Sequence, residues 1–229
     1  MDFSRWKKLT TLELPEAVPG LRKRSDLHLA RKFFHMSGAF SFLYPYLVLG
    51  FSREAMAAIV GTVLAVVMSI EYSRARWPWF NRIAVTLFRP FLRDTEVNRL
   101  SGIPFYLASV LFSFLIFPRH IAVLAIAYLA FGDPSSSFFG VLYGRNKLFP
   151  NKSLQGTLGG FFVCAAVTVG YFIWSGLPTE KLLVMALLGG LAGAVAELLP
   201  MNIDDNFAIP LISGLILLLA FWAGDVPMA

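Results

Sequence analysis

The chain has 229 residues, 57% of them hydrophobic and 15% charged, with a mean hydropathy of +0.66; this excludes an ordinary soluble domain and predicts an all-α, polytopic membrane protein. The formal charge of +6 is read first as membrane topology and not as a nucleic-acid footprint, because Lys and Arg in such a chain report orientation. The one cysteine, Cys164, lies in an apolar run and excludes a disulfide framework and a Cys-rich metal site.

Residues 1–25 are polar and basic, are interrupted by Pro15, Pro19 and Gly20, and read as a cytoplasmic arm whose Arg22-Lys23-Arg24 can touch anionic lipid heads. The first 32 residues lack the apolar core of a signal peptide, so the amino terminus is expected to be retained. Residues 26–229 read as a single transmembrane domain. Ser25 or Asp26 can cap a helix that enters a first span over 33–50, and a second span covers 55–72.

The connection over 73–103 holds six arginines and no lysine. Within it Phe80, Ile83, Ala84, Leu87, Phe88 and Phe91 recur at helical spacing, which predicts an interfacial amphipathic helix over 79–93. A third span covers 103–118, and a fourth starts at Ile121 and reaches Tyr143. Pro134 removes a backbone donor and Asp133 before it suits an N-cap, so this span is expected to be broken at Gly132–Pro134. Spans over 157–175, 182–198 and 207–223 bring the total to about seven.

With the amino terminus inside, seventeen Lys and Arg fall on the inner side, and only Arg53, Arg119 and Lys181 on the outer side. That bias places every candidate site residue on the cytoplasmic face of a cell (inner) membrane.

The polar stretch over 132–160 stands out from its apolar flanks. Gly132, Ser136, Gly140 and Gly144 recur every fourth residue and leave one helix face without bulk, suited to close helix packing, to a nucleotide lying against the backbone, or to both. Arg145, Lys147 and Lys152, with Gly156, Gly159 and Gly160, supply cations and unhindered amides for a polyphosphate. The segment is not a Walker loop, because Lys152-Ser153 lacks the preceding glycine pattern. Arg31, Lys32 and His35 lie within one helical turn and can hold a phosphate near the inner boundary. Glu71 and Arg74, at i and i+3, are expected to pair with each other. Glu197 and Asp204-Asp205-Asn206, over 197–206, form an acidic loop suited to Mg²⁺ or, alternatively, to capping a helix.

The run Gly132-Asp-Pro-Ser-Ser-Ser-x-x-Gly140-x-x-x-Gly-Arg145-x-Lys147, then Lys152-Ser153-x-x-Gly156-Thr and Glu197-x-x-Pro-x-x-x-Asp204-Asp-Asn206, resembles the CTP-dependent lipid kinase family. Its members include dolichol kinase, yeast-type diacylglycerol kinase and phytol kinase. Arg31-Lys32-x-x-His35 and Glu96-x-x-Arg99-x-Ser-Gly102 also look like family blocks, so the resemblance runs from Arg31 to Pro210. It implies transfer of the γ-phosphate of CTP to a membrane lipid alcohol with Mg²⁺. It also implies a nucleotide site at Asp133, Gly140, Arg145, Lys147, Lys152 and Gly156, with Arg31 and Lys32 from the amino-terminal block. Ser135 to Ser137 replace alanines common in relatives, and the chain resembles a minimal member without the additional spans of eukaryotic dolichol kinases.

On that reading Arg145, Lys147 and Lys152 bind the triphosphate, aided by Arg31 and Lys32. Asp133, Asp204, Asp205 and Glu197 provide metal ligands and a base, in roles that remain interchangeable, and His35, Glu71, Arg74, Arg99 and Asn206 are accessory. The rival expectations are a cytidylyltransferase that forms CDP-lipid and a transporter of an anionic solute. The cytidylyltransferase's carboxy-terminal Lys-Asp and His-Gly-Gly-x-x-Asp-Arg pattern is absent from the chain.

Overall fold

The computed structural model describes residues 29–89, 92, 96–150, 152–199 and 203–228. The basic arm over 1–25, the predicted cap at Ser25 or Asp26 and the side chain of Arg31 lie outside the described residues.

The chain is an α-helical bundle. Its helices are α1 (Leu29–Leu47), α2 (Arg53–Arg76), α3 (Pro78–Phe88), α4 (Gly102–Ile116), α5 (Arg119–Ala127), α6 (Asp133–Tyr143), α7 (Leu154–Ser175), α8 (Leu182–Leu198) and α9 (Asp205–Ala223). Among the described residues, five stretches are long and apolar enough to cross a membrane: Arg53–Arg76, Arg119–Tyr143, Leu154–Ser175, Thr179–Leu198 and Asp205–Ala223. The shorter α4 and the amino-terminal α1 pack with them, matching the seven predicted spans in position and order. Apart from the long connection that carries α3, the connections between spans are short, and two ends of the bundle can be distinguished.

At one end, the few cations tie helix termini together. Arg53 donates through its guanidinium to the carbonyls of Phe114 and Leu115 at the end of α4. Arg119 lies over the ring of Tyr46, 4.9 Å from its centroid, and Lys181 Nζ donates to the Asp225 carbonyl at 2.6 Å. Cations at helix carboxyl ends satisfy orphan carbonyls and complement the dipole.

The centre of the bundle is α5, which is buried along its whole length from His120 to Ala127. Polar side chains at its two ends are satisfied locally: His120 Nδ1 lies 2.8 Å from the Tyr171 hydroxyl, and Tyr128 Oη lies 2.6 Å from Thr168 Oγ1. Unsatisfied polar atoms at this depth would each cost several kcal/mol, roughly the water-to-hydrocarbon transfer value.

The expected break at Gly132–Pro134 is not a break. Between α5 and α6 the chain makes one π-helical turn, Tyr128–Gly132, and the Asp133 amide donates to the Tyr128 carbonyl five residues back. The wider turn absorbs the missing donor and the ring of Pro134 within one continuous path. Asp133 consequently sits inside helical backbone, at φ −60° and ψ −48°, and not at a cap.

The predicted interfacial helix is α3, which ends at Phe88, short of the expected 93. Ala84 and Val85 face inward, and Val85 packs with Leu92 and Val97. Trp79, Ile83 and Leu87, spaced four apart, are exposed, a bare apolar stripe suited to the headgroup boundary.

The small-residue face of α6 is used for packing. A Cβ on Gly156 of α7 would lie 2.7 Å from the Ser136 carbonyl and 3.1 Å from Gly140 Cα, and one on Gly160 would lie 2.0 Å from Ser136 Oγ. The two backbones therefore approach as closely as glycine allows. Helix α7 lies against this face, so Ser136, Gly140 and Gly156 belong to a helix seam.

Candidate functional site

The other end of the bundle gathers the residues singled out in the sequence. After α6 the chain folds back as a small hairpin, β1 (Lys147–Phe149) against β2 (Lys152–Ser153), and then enters α7. Two contacts hold this basic hairpin on the helix it precedes. The Leu154 amide donates to the Asn146 carbonyl at 2.8 Å, and Gln155 Oε1 accepts from the amides of Arg145 and Asn146 at 3.1 and 3.2 Å. Ser153 caps α7, its hydroxyl accepting from the Gly156 amide at 3.2 Å. Ser153, Gly144 and Gly156 thus serve the turn and the seam: a Cβ on Gly144 would lie 2.7 Å from Ser153 Oγ. Arg145 and Lys147 project from the hairpin and are exposed.

Lys152 points the other way, into the bundle end. Its Nζ lies 2.5 Å from Glu197 Oε1 in the last turn of α8 and 3.8 Å from Asp205 Oδ2 in the first turn of α9. Asp133 adds to the negative field at the ammonium. Lys152 is therefore in contact with two carboxylates, from the end of α8 and the start of α9, and within the field of a third at the start of α6. Burial alone would lower the pKa of Lys152, but Glu197, by charge and by hydrogen bond, together with Asp205 and Asp133, outweighs it and leaves the pKa raised. The ammonium is charged at neutral pH.

The second oxygen, Glu197 Oε2, is buried and has no hydrogen-bond partner among the described residues. Leaving a carboxylate oxygen buried and unpaired is costly, and such an atom in a native fold calls for an explanation. Among the described residues no three His, Cys, Asp or Glu side chains converge closely enough to hold a metal by themselves. A magnesium-type site does not require that, because it uses one or two carboxylates and completes its shell with water and phosphate oxygens. Glu197, with its unused oxygen, and half-exposed Asp205 fit that requirement.

The acidic loop divides. Asp204 is the N-cap of α9 and accepts from the Asn206 amide at 3.0 Å, as the capping alternative expects, and Asp205 lies 3.8 Å from Lys152 Nζ. Asn206 is buried and donates through Nδ2 to the Gly102 carbonyl at 3.3 Å, fastening α9 to the start of α4.

Glu71 and Arg74 pair as expected, with both carboxylate oxygens 2.8 Å from Arg74 Nη1. They also do more than the spacing implied. Ser101 Oγ donates to Glu71 Oε1 at 2.7 Å, Arg74 Nη2 donates to the Glu96 carbonyl at 3.0 Å, and Arg74 Nε donates to Asn81 Oδ1 at 3.1 Å. This buried network joins the end of α2, the interfacial α3 and the start of α4. Asn81, Glu96 and Ser101 were not legible as its members, because their partners lie up to 30 residues away.

Lys32 Nζ donates to the Pro134 carbonyl at 3.3 Å, which brings the first turns of α1 beside Asp133. His35, one turn on, is buried edge-on to Tyr106 at 5.0 Å, and Tyr106 Oη donates to the His35 carbonyl. Arg99 is exposed in the turn before α4.

The fold and site define a multi-pass α-helical membrane protein with a charged cluster at one end of its bundle. The chain is 31% identical over 206 aligned residues to the CTP-dependent diacylglycerol kinase 1 of Eremothecium gossypii, across 81% of this chain and 64% of that protein. It is 33% identical over 159 residues to the CTP-dependent diacylglycerol kinase 1 of Schizosaccharomyces pombe, across 64% and 72%. It is 32% identical over 224 residues to a probable chloroplastic phytol kinase of Zea mays, across 87% and 69%. No family model and no solved structure matches the chain. The chain belongs to the CTP-dependent lipid kinase family. It thus spans about two thirds of the length of these relatives, and kinases as a class work with a divalent metal beside the nucleotide.

Proposed function

We propose that this chain transfers the γ-phosphate of CTP to the hydroxyl of a membrane lipid alcohol. The observation that carries the reading is Lys152 held among Glu197, Asp205 and Asp133 beside an exposed basic hairpin, at the membrane-boundary end of the bundle. Phosphoryl transfer asks a protein for positioning and charge neutralisation more than for covalent chemistry, and this cluster supplies both.

Arg145 and Lys147 on the hairpin engage the triphosphate from the water side, and Lys152 meets it from below. Glu197 and Asp205 would hold a Mg²⁺, which would supply charge neutralisation for the phosphates. Asp133, next to the residue whose carbonyl accepts from Lys32 of α1, accepts the proton of the lipid hydroxyl. The hydroxyl oxygen bonds to the γ-phosphorus, the bridging Pγ–O bond breaks, and CDP and a lipid phosphate are released. The sequence bias of seventeen Lys and Arg against Arg53, Arg119 and Lys181 supports a cytoplasmic site end, where nucleotides are.

The test is purified protein with γ-labelled CTP, Mg²⁺ and, separately, diacylglycerol, phytol and a polyprenol, run beside Asp133→Asn. Label in a lipid phosphate that disappears in the variant supports the reading and names the acceptor. Release of pyrophosphate from CTP with lipid phosphates, and no labelled lipid, would replace it with a cytidylyltransferase.

A further inference from the structure

We infer that the Lys152 ammonium is a built-in stand-in for the divalent cation: it occupies the ground between Glu197 and Asp205 until a nucleotide draws it away, and so keeps the protein from taking up metal without nucleotide. The inference rests on the kinase reading only for its biological purpose, because the competition itself is a property of four side chains.

Three observations carry it. Lys152 Nζ is 2.5 Å from one oxygen of Glu197 and 3.8 Å from Asp205, and Asp133 also acts on it, so a single cation answers three carboxylates. Glu197 is only 7% exposed, and its other oxygen has no partner among the described residues, so the ammonium leaves the carboxylate half satisfied. Lys152 comes from the strand that leads directly out of the basic hairpin, the segment best placed to respond to an arriving polyphosphate.

The physical consequence is an exchange of partners. A divalent ion entering the carboxylate pair alone meets a like charge within about 4 Å, a distance at which repulsion in a partly buried site is strong. An ion entering together with phosphates gives the ammonium a new anionic partner. Lys152 can then turn to the phosphate while Glu197 and Asp205 take the metal, and no carboxylate is left bare at any stage. Metal uptake is thereby coupled to nucleotide uptake.

The experiment measures Mn²⁺ binding to the full-length protein in detergent, without nucleotide or lipid, by the loss of the free-ion paramagnetic signal. The expected result is weak binding by wild type, binding tighter by about tenfold or more in Lys152→Met, as removal of one nearby like charge demands, and no gain in Lys152→Arg, which keeps the charge. Lys152→Met combined with Glu197→Gln should lose the gain. Equal Mn²⁺ affinity in wild type and a folded Lys152→Met, checked by its elution and melting profiles, would overturn the inference; if that variant does not fold, Lys152→Gln replaces it, under the same criterion. Because no phosphoryl transfer is measured, failure of the kinase reading would show separately, as wild type that binds metal as described here yet labels no lipid.

Discussion

Lys152 and Glu197 stand 45 positions apart in the chain and form a 2.5 Å ion pair at the end of the bundle. The pair joins the strand before α7 to the last turn of α8, and Asp205 brings the start of α9 to the same lysine. Glu197→Gln keeps the shape and removes the charge, so the protein should fold and insert while the transfer rate drops by about 100-fold or more, the scale for loss of one preorganised electrostatic group. Glu197→Ala should also lower the melting temperature, since it leaves a part-buried ammonium facing a void. Labelled-lipid assays and thermal melts in detergent separate the two effects. Wild-type rates in Glu197→Gln would remove Glu197 from the site.

The Glu71–Arg74 network predicts a structural phenotype. Arg74→Ala leaves the Glu71 carboxylate buried with Ser101 as its remaining partner among the described residues, and removes the guanidinium's bonds to the Glu96 carbonyl and Asn81 Oδ1. Breaking a buried pair in this way costs about 3–5 kcal/mol, and Arg74→Lys should recover only part of it because an ammonium cannot reproduce the fork of bonds. Melting temperatures of the three proteins give the order wild type, Arg74→Lys, Arg74→Ala. An unshifted Arg74→Ala would show that the network adds nothing to stability.

The seam between α6 and α7 predicts opposite outcomes for two glycines of the same helix. Gly156→Ala drives a methyl against the Ser136 carbonyl, a backbone atom that cannot rotate aside, and should cost about 1–3 kcal/mol. A methyl on Gly170 would meet nothing within 4 Å, so Gly170→Ala should hold or raise stability. Chemical or thermal unfolding of both variants in the same detergent makes the comparison, and equal stability would refute the close approach of the two helices.

The pH dependence follows from Lys152. Its pKa is raised in the folded protein, so the stability it contributes is fully present below the ordinary lysine value and is lost only as pH rises through the higher folded value. Titration of this lysine therefore lies on the alkaline side, and unfolding midpoints measured from about pH 7 to 9 should show no loss in wild type that Lys152→Met abolishes. A loss within that window that disappears in Lys152→Met would mean that the three carboxylates do not dominate at the ammonium.

Much of the architecture could be read from residue order, since a helix in hydrocarbon must be apolar over its length and its polar ends must reach water. The site was legible as a set of residue types but not as a set of partners. Asp204 and Asp205 are chemically alike and adjacent, yet one caps α9 and the other meets Lys152, a choice made by the direction in which the turn enters the helix. The fourfold repeat from Gly132 to Gly144 suited packing and ligand equally, and the neighbour that arrived was α7.

Apolar patterning, the asymmetry of Lys and Arg, and the polar blocks between spans determined by themselves that this is a multi-pass helical protein. The tertiary structure alone decided that Lys152 sits among Glu197, Asp205 and Asp133, that Arg74 binds three segments, and that Pro134 is absorbed by a π turn and not by a gap. The reason is that hydropathy acts residue by residue along the chain. Charge pairing and close packing depend on which distant segments come within a few ångströms, and only the assembled bundle sets that.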